Sequence, residues 1–365
     1  MDSLTLHPEQ YSPGPPTGVD LAQYGVGIVG CGGIANGAHL PAYQKAGYHV
    51  VACCDVDEEA ARHTAERWNI PFWTTDIHAL LERDDVRVID MALHPPARKE
   101  TLLAIAQAPR PVLTQKPLHM EYALAEELIA IAEDAGILLA VNQQARWAPE
   151  HKAIRVLMDQ GVVGQVYSIQ HLRRSFQDQP DMWWTTLANF NIGDHGVHYL
   201  DLCRYFAASP MAGGREWTRL HCTTAMLPDQ NGPDPLIFSA NVEFGEVGGR
   251  VGVMASLQFN NIVRASGAHG YNWWIDGTEG SVWGTSKEVS AVRADDPRNV
   301  QTFQIEGSWF NDAFQGPLGD LITAAALGRE PAVTPRDNLN TIAMTTAAIR
   351  SSKSGRVVER AEVVV

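Results

Sequence analysis

The sequence predicts two domains: an α/β domain whose parallel sheet is covered on both faces, then an α+β domain with a large, mostly antiparallel open sheet. Three observations carry this. At 365 residues the chain exceeds the usual single-domain size of about 100–200. Up to about residue 146, short apolar runs alternate with helix-length segments, the pattern of doubly buried parallel strands. Beyond that point, longer segments alternate polar and apolar residues. They are joined by turn-rich stretches such as PDQNGPDP and GTEGS, as half-buried antiparallel strands require. The expected division is an irregular arm over 1–22, a first domain over 23–146 and a second over 147–365.

The arm holds Pro8, Pro13, Pro15 and Pro16 with little apolar periodicity, so it is expected to be irregular, and mobile unless it docks on a neighbour. YGVGIVG is a short apolar run ending in glycines and reads as the first strand. His39 to Ala46 has helical apolar spacing, and HVVACCD is the second buried strand. EEAARHTAERW is a helix whose acidic first turn suits the macrodipole. The strands VRVIDMAL, PVLTQ and ILLAVNQ then alternate with the helices ARKETLLAIAQA and EYALAEELIAIAEDAG, the second closed by Gly136. After Trp147 a helix over Pro149 to Gln160 ends at Gly161. VGQVYSIQHLRR, REWTRLHCTTAML, IFSANVEFG, GRVGVMASLQF and YNWWIDG read as strands. Further helices are expected from near Asp194, over Asn311 to Leu327 and over Pro335 to Ser352.

Composition narrows the function. A hydrophobic content of 45% with 19% charged residues is that of a globular protein, not a disordered one. A net charge of −14 repels phosphate backbones and anionic lipid heads, so neither nucleic acid nor a membrane surface is expected as the main partner. No uninterrupted apolar run reaches the roughly 18 residues of a membrane span. Five cysteines, an odd number without metal-type spacing, read as reduced thiols in a reducing compartment. The opening MDSLTLHPEQYSPGPPTGVDLAQ has neither a basic nor an apolar signal region, so a cytoplasmic protein is expected.

Chemistry concentrates at three places. The first is Ile28-Val29-Gly30-Cys31-Gly32-Gly33-Ile34-Ala35, which closes the first strand and opens the first helix as G-x-G-x-x-A. Gly30 permits the tight turn, Gly32 lets backbone approach a pyrophosphate, and a small Ala35 lets helix and strand pack closely. Gly33 and Ile34 lie within the same turn, at a helix start that offers N–H groups to phosphates. Asp55 ends the second strand about 20 residues past Ala35, the offset of a ribose-binding carboxylate. A glycine turn alone often serves packing; here strand, helix, second strand and acid fall in order, which points to a Rossmann dinucleotide site. Asp55 would repel a 2′-phosphate and no Lys or Arg follows it, so NAD is expected over NADP.

The second place is Gln115-Lys116-Pro117, at the carboxyl end of a parallel strand, where open α/β sheets bind ligands. Lys116 could point into the cleft or simply be solvated. The third is Gly193-Asp194-His195-Gly196-Val197-His198-Tyr199-Leu200-Asp201. In a helix, Asp194, His198 and Asp201 would stack at i, i+4 and i+7. Asp194 beside His198 would suit a general base for a hydroxyl. His198 could equally be a core histidine, or the two histidines and two aspartates could hold a metal, although no third ligand is evident.

In this order, the glycine turn, the acid after strand two, the Lys-Pro after strand five and the Asp-x-Gly-x-His-x-x-Asp segment resemble the glucose–fructose oxidoreductase / inositol dehydrogenase / rhizopine catabolism family (Gfo/Idh/MocA). The resemblance runs from about Tyr24 to the end and includes Arg146-Trp147-Ala148-Pro149, GTEGS and AIRSSKSGRVV. It implies an NAD(P)-dependent oxidoreductase acting on a sugar, inositol or related polyol, a homodimer or homotetramer formed through the C-terminal sheet, and a Rossmann domain joined to the open-sheet domain. It also implies roles: Lys116 holds or relays the proton of the reacting hydroxyl, and His198 is the base. Asp194 orients His198 and contacts substrate. Gln115 and Lys116 would border the cofactor.

Departures from the family pattern are visible. Gln115 replaces the usual Glu, so its cofactor-side contact would be neutral. Lys99 stands where a histidine is usual, with His94 nearby, and Ala188-Asn189-Phe190 replaces a glycine triplet. Trp147, Trp183 and Trp184 lie beside these segments, and a flat aromatic suits the apolar face of a sugar ring. Arg146, Arg173 and Arg174 could bind a carboxylate or merely solvate a strand end. Besides a dehydrogenase, two readings stand: an enzyme whose tightly held NAD is recycled during elimination or epimerisation, and a cofactor-binding regulator without chemistry.

Overall fold

Apolar runs without a polar face become interior strands, and alternating runs become a one-sided sheet. The computed structural model describes all residues except 1–3, 181, 183, 185, 186, 208–215, 248, 249 and 365, and only the backbone of 246, 247, 250 and 251. The chain forms two compact units, neither continuous in sequence. One joins Pro13–Ala148 to Ser308–Leu339; the other joins the N-terminal segment up to Ser12, carrying α1 (Pro8–Tyr11), to Pro149–Gly307 and the stretch from Asn340 on.

In the first unit β1 (Val26–Val29), β2 (Val50–Cys54), β3 (Phe72–Thr74), β4 (Val88–Met91), β5 (Val112–Gln115) and β6 (Leu139–Asn142) form a parallel sheet in the order β3-β2-β1-β4-β5-β6. Strand order reverses between β1 and β4, which opens a crevice at the carboxyl ends of these strands. A π-type turn over Ala35–His39 leads into α2 (Leu40–Ala46); α3 (Glu58–Trp68), α4 (Ile77–Leu81), α5 (Pro95–Ile105) and α6 (Tyr122–Asp134) make the later connections. Asp57 caps α3 by accepting the N–H groups of Glu59 and Ala60, and Gly47 ends α2 with a φ of 74°.

In the second unit β7 (Val166–Arg174), β8 (Trp217–Ala225), β9 (Ile237–Val247), β10 (Arg250–Asn260), β11 (Gly270–Gly277), β12 (Gly280–Gly284), β13 (Glu288–Arg293), β14 (Gln301–Gln304) and β15 (Val358–Glu359) form a nine-stranded sheet. Its order is β14-β13-β12-β11-β7-β10-β9-β8-β15, and only the β7–β10 pair is parallel. α7 (Pro149–Asp159) and α8 (Val197–Ala207) cover one face. Alternation sends Trp273, Ile275 and Val282 inward and leaves Trp274 and Trp283 partly open on the other face. The N-terminal segment is docked, not mobile: α1 lies on α7, the buried Tyr11 hydroxyl accepts the Glu306 N–H at 3.2 Å, and Gln160 Nε2 donates to Thr5 O at 2.8 Å.

α9 (Gln315–Leu327) departs from the continuous division expected over 147–365. It belongs to the first unit, and α10 (Pro335–Ser354) leaves that unit after Leu339. Phe314, Leu318, Leu321 and Ile322 share a core cluster with Val26, Val88, Leu113 and Ala140 of the strands and with Ala42 and Tyr43 of α2. The reason is burial: a parallel sheet needs helices on both faces, and α9 supplies cover beside α2. Among the described residues no helix is long and apolar enough to cross a membrane.

Candidate active site

β1 runs out at Val29, and Gly30 takes a φ of 97°, in the region that favours glycine. Space enforces the same choice, since a Cβ there would lie 2.8 Å from Ala92 O and 2.9 Å from Leu93 Cδ2. Gly32 and Gly33 differ: both are exposed, and nothing lies within 4 Å of where a Cβ would be. Ala35 is fully buried, and the half-buried Ile34 packs against the clusters beneath. Asp55 Oδ2 accepts the Cys31 N–H at 2.7 Å and Oδ1 accepts the Asp57 N–H at 3.0 Å. The carboxylate thus ties the end of β2 to the glycine turn, while each oxygen keeps a second acceptor site. Val56, beside it, is 93% exposed. A groove of about 560 Å³ borders the turn, with Gly32, Gly33 and Asn36 on one side and His63, Thr64 and Arg67 of α3 on the other. Bare glycine backbone and an adjacent carboxylate fit the pyrophosphate and ribose of a dinucleotide.

At the end of β5, the Gln115 side chain turns into the protein. It is 7% exposed, and its amide is used inward: Oε1 accepts the Lys116 N–H at 2.8 Å, and Nε2 lies 2.9 Å from His39 Nε2. The fully buried His39 sets Nδ1 2.7 Å from Asp90 Oδ2, which also accepts the Tyr43 hydroxyl at 2.8 Å. Lys116 is half-buried at the carboxyl edge. From α5 the buried Arg98 donates to the carbonyls of Pro117, of Leu118 at 2.8 Å, and of Leu93 at 3.1 and 2.8 Å. This staples the turn after β5 to the turn after β4. Sequence reasoning singled out none of His39, Asp90 and Arg98. The signal was present in Asp90, a charge inside the apolar run VRVIDMAL, because a buried carboxylate demands donors.

After β6 a tight turn over Gln144–Trp147 carries the next candidates. Arg146 Nη2 donates to Asp337 Oδ2 at 2.8 Å, so its charge is matched within its own unit. The Trp147 indole lies against Gly316, where any Cβ would collide with the ring.

In the second unit Asn189 has a φ of 57°, and its N–H donates to Asp234. Here the resemblance expects a glycine triplet; asparagine is among the few other residues that tolerate this conformation. A π-type turn over Asn191–His195 follows, closed by the Gly196 N–H on Asn191 O at 2.9 Å, and α8 starts only at Val197. Asp194, His198 and Asp201 therefore do not share one regular helix, contrary to the simple i, i+4, i+7 expectation. Asp194 is half-exposed and His198 buried. Asp201 is fully buried, accepts the Thr341 hydroxyl at 2.7 Å and lies 3.7 Å from Arg204, which makes it a structural anchor. His195 sits 3.1 Å from Asn261 Nδ2 and edge-on to Tyr199. Among the described residues, no group of three His, Cys, Asp or Glu could hold a metal ion.

Trp184 is buried, stacked on Phe190 at 5.0 Å in a cluster with Leu236. One ring face is thus already covered; Trp183 lies outside the described residues. Arg173 donates to the Tyr199 hydroxyl at 2.8 Å and Arg174 to Ala268 O at 2.9 Å, so each takes a local acceptor. Behind α8, His171 is sandwiched between Trp273 at 4.1 Å and Tyr199 at 4.8 Å, and burial pushes its pKa well below the usual range. On α7, burial pushes the Glu150 carboxyl up to about 7.

Residues 24–143 match the family model described as "Oxidoreductase family, NAD-binding Rossmann fold", and residues 151–283 match the "GFO/IDH/MocA C-terminal domain". The chain is 25% identical to a D-apiose dehydrogenase of Paraburkholderia graminis, over 91% of this chain and 88% of that one. It is 22% identical to the myo-inositol 2-dehydrogenase of Thermotoga maritima, over 93% and 99% respectively. In fold it is similar to a levoglucosan dehydrogenase solved with NADH and levoglucosan, with a TM-score of 0.77 and 18% identity over 94% of this chain and all of that one.

Proposed function

The chain belongs to the Gfo/Idh/MocA family of NAD-binding oxidoreductases, and from that premise we propose that it oxidises a secondary hydroxyl of a sugar, sugar derivative or inositol. One observation carries the reading: the bare glycine turn and the Asp55 carboxylate share the carboxyl edge of one sheet with Lys116. Bound NAD supplies the hydride acceptor. Gly32 and Gly33 admit its pyrophosphate, and Asp55 takes ribose hydroxyls while its charge disfavours a 2′-phosphate. Lys116 donates to the reacting hydroxyl and holds or relays its proton; His198 is the base, with Asp194 orienting it and contacting substrate. Trp147 offers an aromatic face to a sugar ring. Arg146 serves by fixing its turn through Asp337, and Trp184 supports Phe190 from behind.

Five buried, unpaired thiols suit a reducing cytoplasm. The open face of the nine-stranded sheet, with Met254 and the directly opposed Trp274 and Trp283, suits a homodimer or homotetramer. The names of the relatives make D-apiose, myo-inositol and levoglucosan the first substrates to try. Net NADH formation, followed by absorbance across polyols and glycosides, is the expected result. Failure with every free polyol, with NAD copurifying and recycling in place, would overturn the reading.

A further inference from the structure

We infer that Tyr43, Asp90, His39 and Gln115 form a buried chain of positioning residues that fixes the backbone of Lys116, and that the amide at position 115 lets this chain close around a neutral imidazole. The argument is one of donors and acceptors. Asp90 Oδ2, a carboxylate oxygen, can only accept, so the Tyr43 hydroxyl at 2.8 Å and His39 Nδ1 at 2.7 Å both donate to it. In the neutral ring, Nε2 then carries a lone pair. Gln115 Nε2 at 2.9 Å donates to that lone pair, with Asn142 Nδ2 a longer neighbour at 3.4 Å. This leaves Gln115 Oε1 to accept the Lys116 N–H at 2.8 Å.

The opposite assignment fails at its far end. An imidazolium would donate to Gln115 Oε1, and the flipped amide would then set its NH2 against the Lys116 N–H, donor against donor. A glutamate would fit only with one added proton, because against the neutral ring its carboxylate would meet the His39 lone pair, acceptor against acceptor. The chain is sealed from water: His39 and Asp90 are fully buried, and Phe314 of the same unit covers the imidazole at 5.0 Å. In this dry setting an unmatched donor or acceptor costs far more than at a surface. Position 115 thus acts on Lys116 by geometry.

The kinetic arm of the test rests on the proposed role of Lys116; the spectroscopic arm does not. Nitrogen-15 NMR of the histidines at neutral pH, with His39 assigned by its loss in His39→Gln, should show Nδ1 protonated and Nε2 bare. A protonated Nε2 in the wild-type chain would overturn the inference. Gln115→Glu should place one extra proton between the two side chains, on Nε2 or on the new carboxyl as read from its carbon-13 shift; a bare Nε2 beside an ionised carboxylate would equally overturn the inference. Gln115→Met keeps the length without donor or acceptor. It should lower kcat on the order of tenfold while the NAD Kd stays within about twofold. Full kcat in that variant, or equal losses in kcat and NAD binding, would show that Gln115 positions nothing. If the wild type turns over no polyol, the functional reading fails while the NMR result still decides the chain.

Discussion

The turn bearing Lys116 and the turn and helix start bearing Asp194 and His198 are fixed by different means. The first is held from below by side chains: the amide of Gln115, the imidazole of His39 and the guanidinium of Arg98 all reach it through hydrogen bonds. The second depends more on its own backbone and on rings: Asn189 at positive φ, the widened turn over Asn191–His195, and stacking around Phe190 and Tyr199, with side-chain bonds from Asp234 and Asn261 at its edges. Loops at the carboxyl edge of a parallel sheet have no ladder partners of their own, so side chains must satisfy their carbonyls. A helix start carries much of its own bonding and instead needs residues that tolerate its geometry. The two turns should therefore break under different substitutions.

The largest effect expected is on chemistry. Lys116→Ala should lower kcat about a thousandfold with NAD affinity within a few-fold; a variant keeping a tenth of the rate would refute the proton role. His198→Asn should do the same with thermal stability intact. Stability loss with retained activity would make His198 a core histidine after all.

Next comes Arg98→Met, which strips donors from three carbonyls, two of them buried, and should cost about 3 kcal/mol in urea unfolding. A loss below about 1 kcal/mol would mean that the staple is dispensable.

Glu150, in the other unit, tests burial without such a staple. Its folded-state pKa of about 7 lies above the usual 4.5, so the folded chain binds the extra proton between these values. Stability should therefore fall as pH rises from about 5 to 7. Glu150→Gln should remove roughly 2 kcal/mol of that fall, read from melting at several pH values. Identical pH slopes in the two proteins would refute it. The smallest effect concerns Asn189: alanine should cost about 1 kcal/mol and glycine almost nothing, and equal stability of the two variants would remove the conformational argument.

The two turns also differ in how far the sequence exposed them. The glycine turn, Asp55 and the strand–helix rhythm around them were legible because each depends on neighbours in the chain: Gly30 on its own φ, β1 and β2 on unbroken apolar runs. The helix over Asn311 to Leu327 was legible too, and begins at Gln315, but its allegiance was not. An apolar face states that it must be buried, not against what. Asp90 and His39 stand 51 positions apart, and Arg146 and Asp337 stand 191 apart. No local pattern links such pairs. The widened turn before α8 was hidden for another reason: regular spacing from Asp194 to Asp201 suits an ordinary helix, and nothing in it announces a five-residue turn.

The return of α9 to the first unit has a consequence for a chain made from one end. Val26, Val88, Leu113 and Ala140 are all in place by the time β6 is synthesised, yet Leu318, Leu321 and Ile322 lie about 180 residues further on. At ribosomal rates of roughly 5–20 residues per second, that interval is about 10–35 s. Throughout it, one face of the nascent sheet is apolar and missing part of its cover. A fragment ending at Ala148 should keep that defect permanently, so the dinucleotide-binding unit cannot be excised as a contiguous piece without fusing Ser308–Leu339 back onto it.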